Sequence, residues 1–202
     1  VAGKGYFVRS HSYLYRLVWT EETEAIFYQN HWVDNSNLDQ EKIKAFSTAT
    51  NYKLQYVGTQ TAGADVQSSV FTNKSEADLI RMATTKASDR AVAKLERQFE
   101  EFRTKTPLYS GSPITAKIGL KEGLEKGDKF EVLDQILNIE TGKMTYKRVG
   151  VITVDGENVW DNSLTPEEEA DRKKQGKASK TPYTYFKGSG NYYPGQLIKQ
   201  IN

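Results

Sequence analysis

The chain has 202 residues, is 37% apolar and 27% charged, and carries a formal net charge of +2. That length suits one large domain or two small ones able to bury a core. The composition excludes a disordered chain, and the small charge excludes a strong overall field for nucleic acid or an anionic membrane. With no cysteine, disulfides, thiolate metal sites and cysteine nucleophiles are excluded.

No apolar run approaches the ~20 residues needed to span a bilayer, so no transmembrane segment is expected. No signal peptide is recognisable. The start at Val1 rather than Met reads as a cut or processed N-terminus, with a signal peptide, lipid anchor or N-terminal domain removed. Twelve tyrosines against eight phenylalanines suit half-exposed β surfaces, where a ring is buried and a hydroxyl is wet.

Residues 5–19 are rich in aromatic and β-branched side chains and read as one long strand or two consecutive ones. Tyr13, Tyr15, Leu17 and Trp19 share one face by period-two alternation. Residues 20–32 begin with an N-cap and an acidic first turn. They favour a short helix, with a hairpin as the alternative. Asp34–Asn37 make a loop, and Asp39–Ala49 form a second helix with Ile43 and Phe46 on its apolar side. Tyr52, Leu54 and Tyr56 alternate along a strand. Gly58–Ala64 reads as a turn, and Asp65–Phe71 as a returning strand. Ser75 and Asp78 resemble a capping box. Ile80, Ala83, Ala87, Ala91, Leu95, Phe99 and Phe102 then continue at helical spacing. A run to Arg103 gives a helix of about 28 residues, ~42 Å long, ended by Thr106-Pro107.

Leu108–Ser112 reads as a linker. Beyond it the pattern changes to short strands: 114–118, 129–137, 144–154, 158–160, 183–186 and 197–201. Tight turns fall at Thr141-Gly142 and Asp155-Gly156. Six short strands with frequent glycines predict a closed or nearly closed barrel. The fold class expected is therefore α+β: an αβ domain over residues 1–107 ending in a long helix, then a β-barrel over 108–202. A charged insertion at 162–182 interrupts the barrel. There Thr165 is an N-cap and Pro166 the first helical residue, and acids precede bases. That insertion reads as a short exposed helix or a mobile segment.

Gly119, Gly123 and Gly127 recur every fourth residue, and Asp128 follows the last. Glycines reach φ > 0 where a β-branched residue is strained. Asp128 can accept hydrogen bonds from backbone amides and fix the turn. Phe130 and Val132 then point into the barrel. The stretch Gly119-Leu-Lys-Glu-Gly123-Leu-Glu-Lys-Gly127-Asp128-Lys-Phe130-Glu-Val132 resembles the C-terminal SH3-like module of the flagellar assembly protein T family, which also ends many secreted proteins of Bacteroides-type bacteria. Val149-Gly150-Val-Ile-Thr-Val154 matches that module's middle strand, and Pro194-Gly195-Gln-Leu-Ile its closing strand. The αβ segment before it is loosely similar to the end of a curli-assembly-type periplasmic domain. The resemblance implies a non-catalytic protein of the bacterial envelope, periplasmic or outer-membrane-associated, that binds other proteins. It carries over no catalytic residue, and the 162–182 insertion departs from its pattern.

His11 and His31, with Asp34 nearby, are the candidates for metal or acid–base work. A zinc site needs three or four convergent ligands, and no HxH or HxxxH spacing exists, so both histidines read as polar–aromatic fillers. No elbow motif surrounds a serine. Gly3-Lys-Gly5 and Gly188-Ser-Gly190 lack the strand–loop–helix order of a phosphate cradle. Glu167, Glu168, Glu169 and Asp171 lack EF-hand spacing and read as a solvated charge run. No catalytic, metal or cofactor residue is assigned.

Two candidate surfaces remain. Tyr183, Tyr185, Phe186, Tyr192 and Tyr193 form an aromatic cluster whose outward members can stack on a glycan or peptide. Lys143, Lys147 and Arg148 form a basic set in a barrel strand. The leading expectation is a non-catalytic envelope protein that binds protein or cell-wall glycan through exposed strands and barrel loops. The alternatives are a KOW-type nucleic-acid module, which the near-neutral charge disfavours, and a hydrolase with a site near Thr106–Ser112.

Overall fold

A computed structural model describes residues 5–36, 38–67, 74–164, 166–176 and 181–201. The expectations touching Gly3, Asn37, residues 68–71, Thr165 and 177–180 lie outside these, as does the side chain of Glu167. The chain divides into two compact units, one formed by residues up to Ser12 together with Gln60 onward, the other by Tyr13–Thr59. Among the described residues no helix is long and apolar enough to cross a membrane.

Strand β1 (Gly5–Leu17) runs unbroken and pairs with β2 (Leu54–Gln67) in a two-stranded sheet. The turn expected at Gly58–Ala64 is absent, because these small residues continue β2. Their smallness has a packing reason: Ala62, Ala64 and Val66 are buried, and a Cβ on Gly63 would strike the Phe7 ring at 2.6 Å. Helix α3 (Glu76–Gln98) belongs to the same unit. Its Arg90 and Lys94 donate to the carbonyls of Gly63 and Thr61 at 2.8 and 3.0 Å. Leu79, Met82 and Ala83 pack with Val66, and with Tyr6 and Val8 on β1.

Helix α3 starts where expected, with Ser75 Oγ accepting from the Asp78 amide at 3.2 Å. It stops at Gln98 rather than Arg103. The Arg103 guanidinium turns back and donates to the carbonyls of Glu96 and Arg97 at 3.2 and 2.9 Å. Carbonyls left without helical donors at a C-terminus need such partners. Glu100–Phe102 form a 3₁₀ turn.

In the Tyr13–Thr59 unit, α1 (Glu21–Asn30) resolves the choice at residues 20–32 in favour of the helix. Thr20 Oγ1 caps it by accepting from the Thr23 amide at 3.2 Å. Helix α2 (Gln40–Thr48) is capped by Asp39, which accepts from the Glu41 and Lys42 amides. Phe27 lies at the centre of an aromatic group, with ring centroids 5.4–6.4 Å from those of Trp19, Tyr28, Trp32, Phe46 and Tyr52. Tyr15 and Tyr56 meet edge to face across the strand pair at 5.6 Å.

The remaining strands close a six-stranded barrel, and the α+β class stands. They are β3 (Thr106–Gly111), β4 (Ile114–Ala116), β5 (Lys129–Leu137), β6 (Met144–Val154), β7 (Thr184–Lys187) and β8 (Leu197–Ile201). Their order around the barrel is β3-β4-β7-β6-β5-β8. Two expectations are corrected. Residues 108–112 are not a linker: Leu108 is buried, and β3 pairs with β4 and β8. Residues 158–160 are not a strand: Trp160 makes one isolated parallel bridge to Gly119, while Asn158 is held back by Asp155 through its amide and side chain, both at 3.0 Å. The sixth strand is thus β3. Inside the barrel Val132, Ile152 and Ile198 are essentially sealed, and Phe130 meets Phe186 edge to face at 5.5 Å. Each such burial stabilises the fold by about 1.5–3 kcal/mol. In the insertion, Pro166–Lys174 form helix α4, tied to α3 by the Lys86–Glu168 ion pair at 2.9 Å.

Candidate functional site

The glycine–aspartate stretch serves as the frame that carries a surface. Gly123 and Gly127 take left-handed conformations, at φ +73° and +89°, which side chains other than glycine rarely adopt. Gly119 departs from that expectation, with extended backbone at φ −159°. Glycine is required there by close approach, since a Cβ would lie 2.1 Å from the Trp160 carbonyl oxygen. Asp128 Oδ2 accepts from the Glu125 amide at 2.9 Å, as the turn reading requires. It also receives Arg97 from α3, a partner that no local pattern announces. Phe130 and Val132 point inward and are buried.

On the outside of the barrel lies a row of rings. Tyr109, on β3, stacks on Tyr183 at 5.3 Å with the planes 20° apart. Tyr183 meets Tyr185, on β7, edge to face at 5.5 Å. Lys117 Nζ sits 5.0 Å from the Tyr109 ring centre, within cation–π range. The hydroxyl interaction with Tyr185 pushes the Tyr183 phenol above its ordinary value. Strand alternation explains the arrangement: Leu108 faces the core, so its neighbour Tyr109 faces out. Reading 106–111 as a strand would have added Tyr109 to the cluster from sequence.

The other three aromatics are placed differently. Phe186 belongs to the core. Tyr192 is half-buried against that core, in space left by Gly111, Gly150 and Gly190. Tyr193 is exposed and donates its hydroxyl to Asp134 at 2.8 Å. Gln196 also donates to Asp134, at 2.7 Å. These two bonds, that of Gln196 first, hold the Asp134 carboxyl below its usual range. Beside β4 and β7 an open groove of about 530 Å³ is lined by Ser112, Pro113, Lys187, Gly188, Asn191 and Tyr192.

Elsewhere several titratable groups are occupied with one another or with neighbouring side chains. Glu169 and Asp171 pair with Lys173 and Lys174 along α4. Asp161 accepts Arg172 at 2.6 Å, Lys121 lies 3.5 Å from Asp89, and His11 Nδ1 shares a hydrogen bond with Thr61 Oγ1 at 2.9 Å. His31 packs among rings, 5.7 Å from both Phe46 and Tyr52. Asp34 accepts from the Ser36 amide and hydroxyl. Among the described residues no three His, Asp or Glu side chains gather where a metal ion could be held. Glu96, Arg103, Thr104, Thr106 and Glu122 line a pocket of about 30 Å³, room for water rather than a substrate. Burial, and then the charge of Glu122, push the Glu96 carboxyl above its usual range. Glu122 is already used, accepting from the Gly119 amide and the Asn162 side chain, both at 2.7 Å.

No protein-family model matches the sequence, and no curated protein is recognisably similar to it.

Proposed function

We propose that this chain is a non-catalytic interaction module of the bacterial envelope, periplasmic or outer-membrane-associated. It engages a protein or cell-wall glycan through exposed strands and barrel loops. The observation that carries this reading is the outward row of Tyr109, Tyr183 and Tyr185. Aromatic rings held at the surface of a rigid scaffold supply contact area with little loss of side-chain freedom on binding. The groove beside β4 and β7 separately offers backbone and polar groups, as recognition of an extended chain requires. The closed six-stranded barrel gives these rings a rigid scaffold, and the envelope setting rests on the sequence resemblance of the glycine–aspartate stretch to the flagellar assembly protein T family.

The test compares the intact chain with a Tyr183→Ala, Tyr185→Ala double variant. Both are offered to insoluble peptidoglycan, and to envelope proteins captured by cross-linking in cells. The expected result is retention by one of these and loss of at least about tenfold in the variant, since each anchoring aromatic contributes on the order of 1 kcal/mol or more. Retention of the intact chain by neither, or equal retention of the variant, sinks the reading.

A further inference from the structure

Strands β5 and β6 extend past the barrel as a two-stranded ribbon. β5 pairs with β8 only over Lys129–Leu133, and β6 with β7 only at Thr153 and Val154. From Asp134↔Lys147 to Leu137↔Met144 the two strands pair with each other alone among the described residues. The connecting turn is tightly stitched. Asn138 Oδ1 accepts from the Glu140 and Thr141 amides at 3.0 Å, the Asn138 amide donates to the Lys143 carbonyl at 2.9 Å, and Gly142 is left-handed at φ +65°.

This ordered turn presents Ile139, which is 91% exposed. Below it Ile136, Leu137, Met144 and Tyr146 each remain at least 45% exposed. Opposite residues of an antiparallel pair share a face, and successive residues alternate. Leu137 with Met144 therefore lies on one face of the ribbon and Ile136 on the other. The face of Leu137, Met144 and Tyr146 is the more apolar one, whereas on the other face Ile136 stands opposite Thr145 and Asp134 opposite Lys147, so the apolar side chains gather toward the tip with charged groups behind them. Lys143, Lys147 and Arg148 border this end, and Lys105 Nζ sits 4.4 Å from the Tyr146 ring centre. Between Asp134 and Arg148 the ribbon carries two carboxylates, Asp134 and Glu140. Asp134 sits opposite Lys147 in the strand pair and is kept ionised by the bonds from Gln196 and Tyr193, so the four cations still outnumber the acids, and Glu140 is the acid nearest the tip.

We propose that the Ile139 tip of the β5–β6 ribbon inserts into the interface of an anionic lipid bilayer. Met144 and Arg148 are four residues apart, or ~13 Å along a strand. Interfacial elements bury their apolar parts ~5–10 Å deep. Ile139, Leu137 and Met144 then reach the acyl boundary, Tyr146 lies at the headgroup level favoured by amphipathic rings, and the basic residues meet anionic headgroups. The charge complementarity is local and needs no large net charge. The ribbon uses none of the residues of the Tyr109–Tyr183–Tyr185 row, so the two sites fail or hold separately.

Sedimentation of the full chain with phosphatidylcholine vesicles, with and without phosphatidylglycerol, tests this. Binding to the anionic vesicles is expected to exceed that to neutral ones by about tenfold or more and to weaken with salt. The Leu137→Asp, Ile139→Asp double variant should lose it, and Glu140→Lys should strengthen it at least about fivefold. Tyr183→Ala should bind vesicles like the parent. Thermal melts verify that the variants keep the fold; Leu137, Ile139 and Glu140 are exposed, and Tyr183 is half-buried. Three results overturn the proposal: no vesicle binding by the parent, undiminished binding by the double aspartate variant, or a solution self-association that this variant abolishes while vesicle binding persists.

Discussion

Arg97 and Asp128 form a two-pronged ion pair, with Nη1 2.7 Å from Oδ2 and Nη2 3.0 Å from Oδ1. The same guanidinium donates to the Gly123 carbonyl at 2.7 Å, so one side chain of α3 grips the glycine turn at two points. The pair is mostly withdrawn from water, with Asp128 13% and Arg97 31% exposed, and its planar geometry is one that lysine does not reproduce. Arg97→Lys is expected to lower stability by about 1–2 kcal/mol and Asp128→Ala by about 2–3 kcal/mol. The larger loss follows because the second change also strips the Glu125 amide of its acceptor. Urea unfolding of both variants measures this, and a loss smaller for Asp128→Ala than for Arg97→Lys contradicts it.

Glu96 predicts a pH dependence of the opposite sense from that of a paired carboxylate. Its folded pKa is raised, by burial first and by Glu122 second. The folded state therefore binds the proton more tightly than the unfolded state. Its favourable contribution is fully present below the ordinary carboxylate range, and is lost as pH rises through the raised folded value. Glu96→Gln should leave stability near the parent's in mild acid and increase it at neutral pH. Thermal melts across that range check the sign, and a variant less stable than the parent at pH 7 is the contrary result.

Two of the motif glycines predict different costs. Gly127→Ala meets open space but must hold φ +89°, costing about 1–2 kcal/mol of backbone strain. Gly119→Ala suits the backbone angle, yet its Cβ would meet the Trp160 carbonyl oxygen at 2.1 Å. A backbone atom yields poorly, so the cost should exceed that of Gly127→Ala and reach about 3 kcal/mol. Chemical denaturation ranks the two; an equal or reversed order argues against the close approach.

Much of the barrel was legible because its strands alternate cleanly between core and solvent. β5, β6 and β8 have the bounds that periodicity gives. β3 was hidden by Pro107 and by its Ser-Gly end, which imitate a linker. Pro107 is tolerated there as the second residue of the strand. β2 was misread at Gly58–Ala64 because small residues signal turns locally, whereas here they make room for α3 and Phe7. Gly119 shows the same limit, since its neighbour Trp160 is distant in sequence. Arg97 shows it again, as one of many cations on an amphipathic helix until the fold brings Asp128 to it. Of the aromatic cluster, Tyr183 and Tyr185 are half-buried and pack with Tyr109, which entered only through the strand that had been missed.

Tyr192 illustrates how a residue that reads as a binding ring can be a packing element, and it yields a last prediction. A Cβ at Gly150 would lie 2.1 Å from its hydroxyl oxygen, one at Gly190 would lie 2.6 Å from its ring, and one at Gly111 would lie 1.8 Å from its backbone carbonyl oxygen. Three glycines from separate segments thus shape one socket. Gly111→Ala confronts backbone and should be the more damaging change, by about 3 kcal/mol or more. Gly150→Ala confronts the end of a side chain that can shift, and should cost about 1–2 kcal/mol. Combining Gly150→Ala with Tyr192→Phe removes the colliding oxygen, at the loss only of a 3.4 Å bond to the Ser189 carbonyl. The double variant should therefore recover part of the stability lost by Gly150→Ala alone. A double-mutant cycle in urea reads this coupling directly, and strictly additive effects would show that Tyr192 does not occupy the socket.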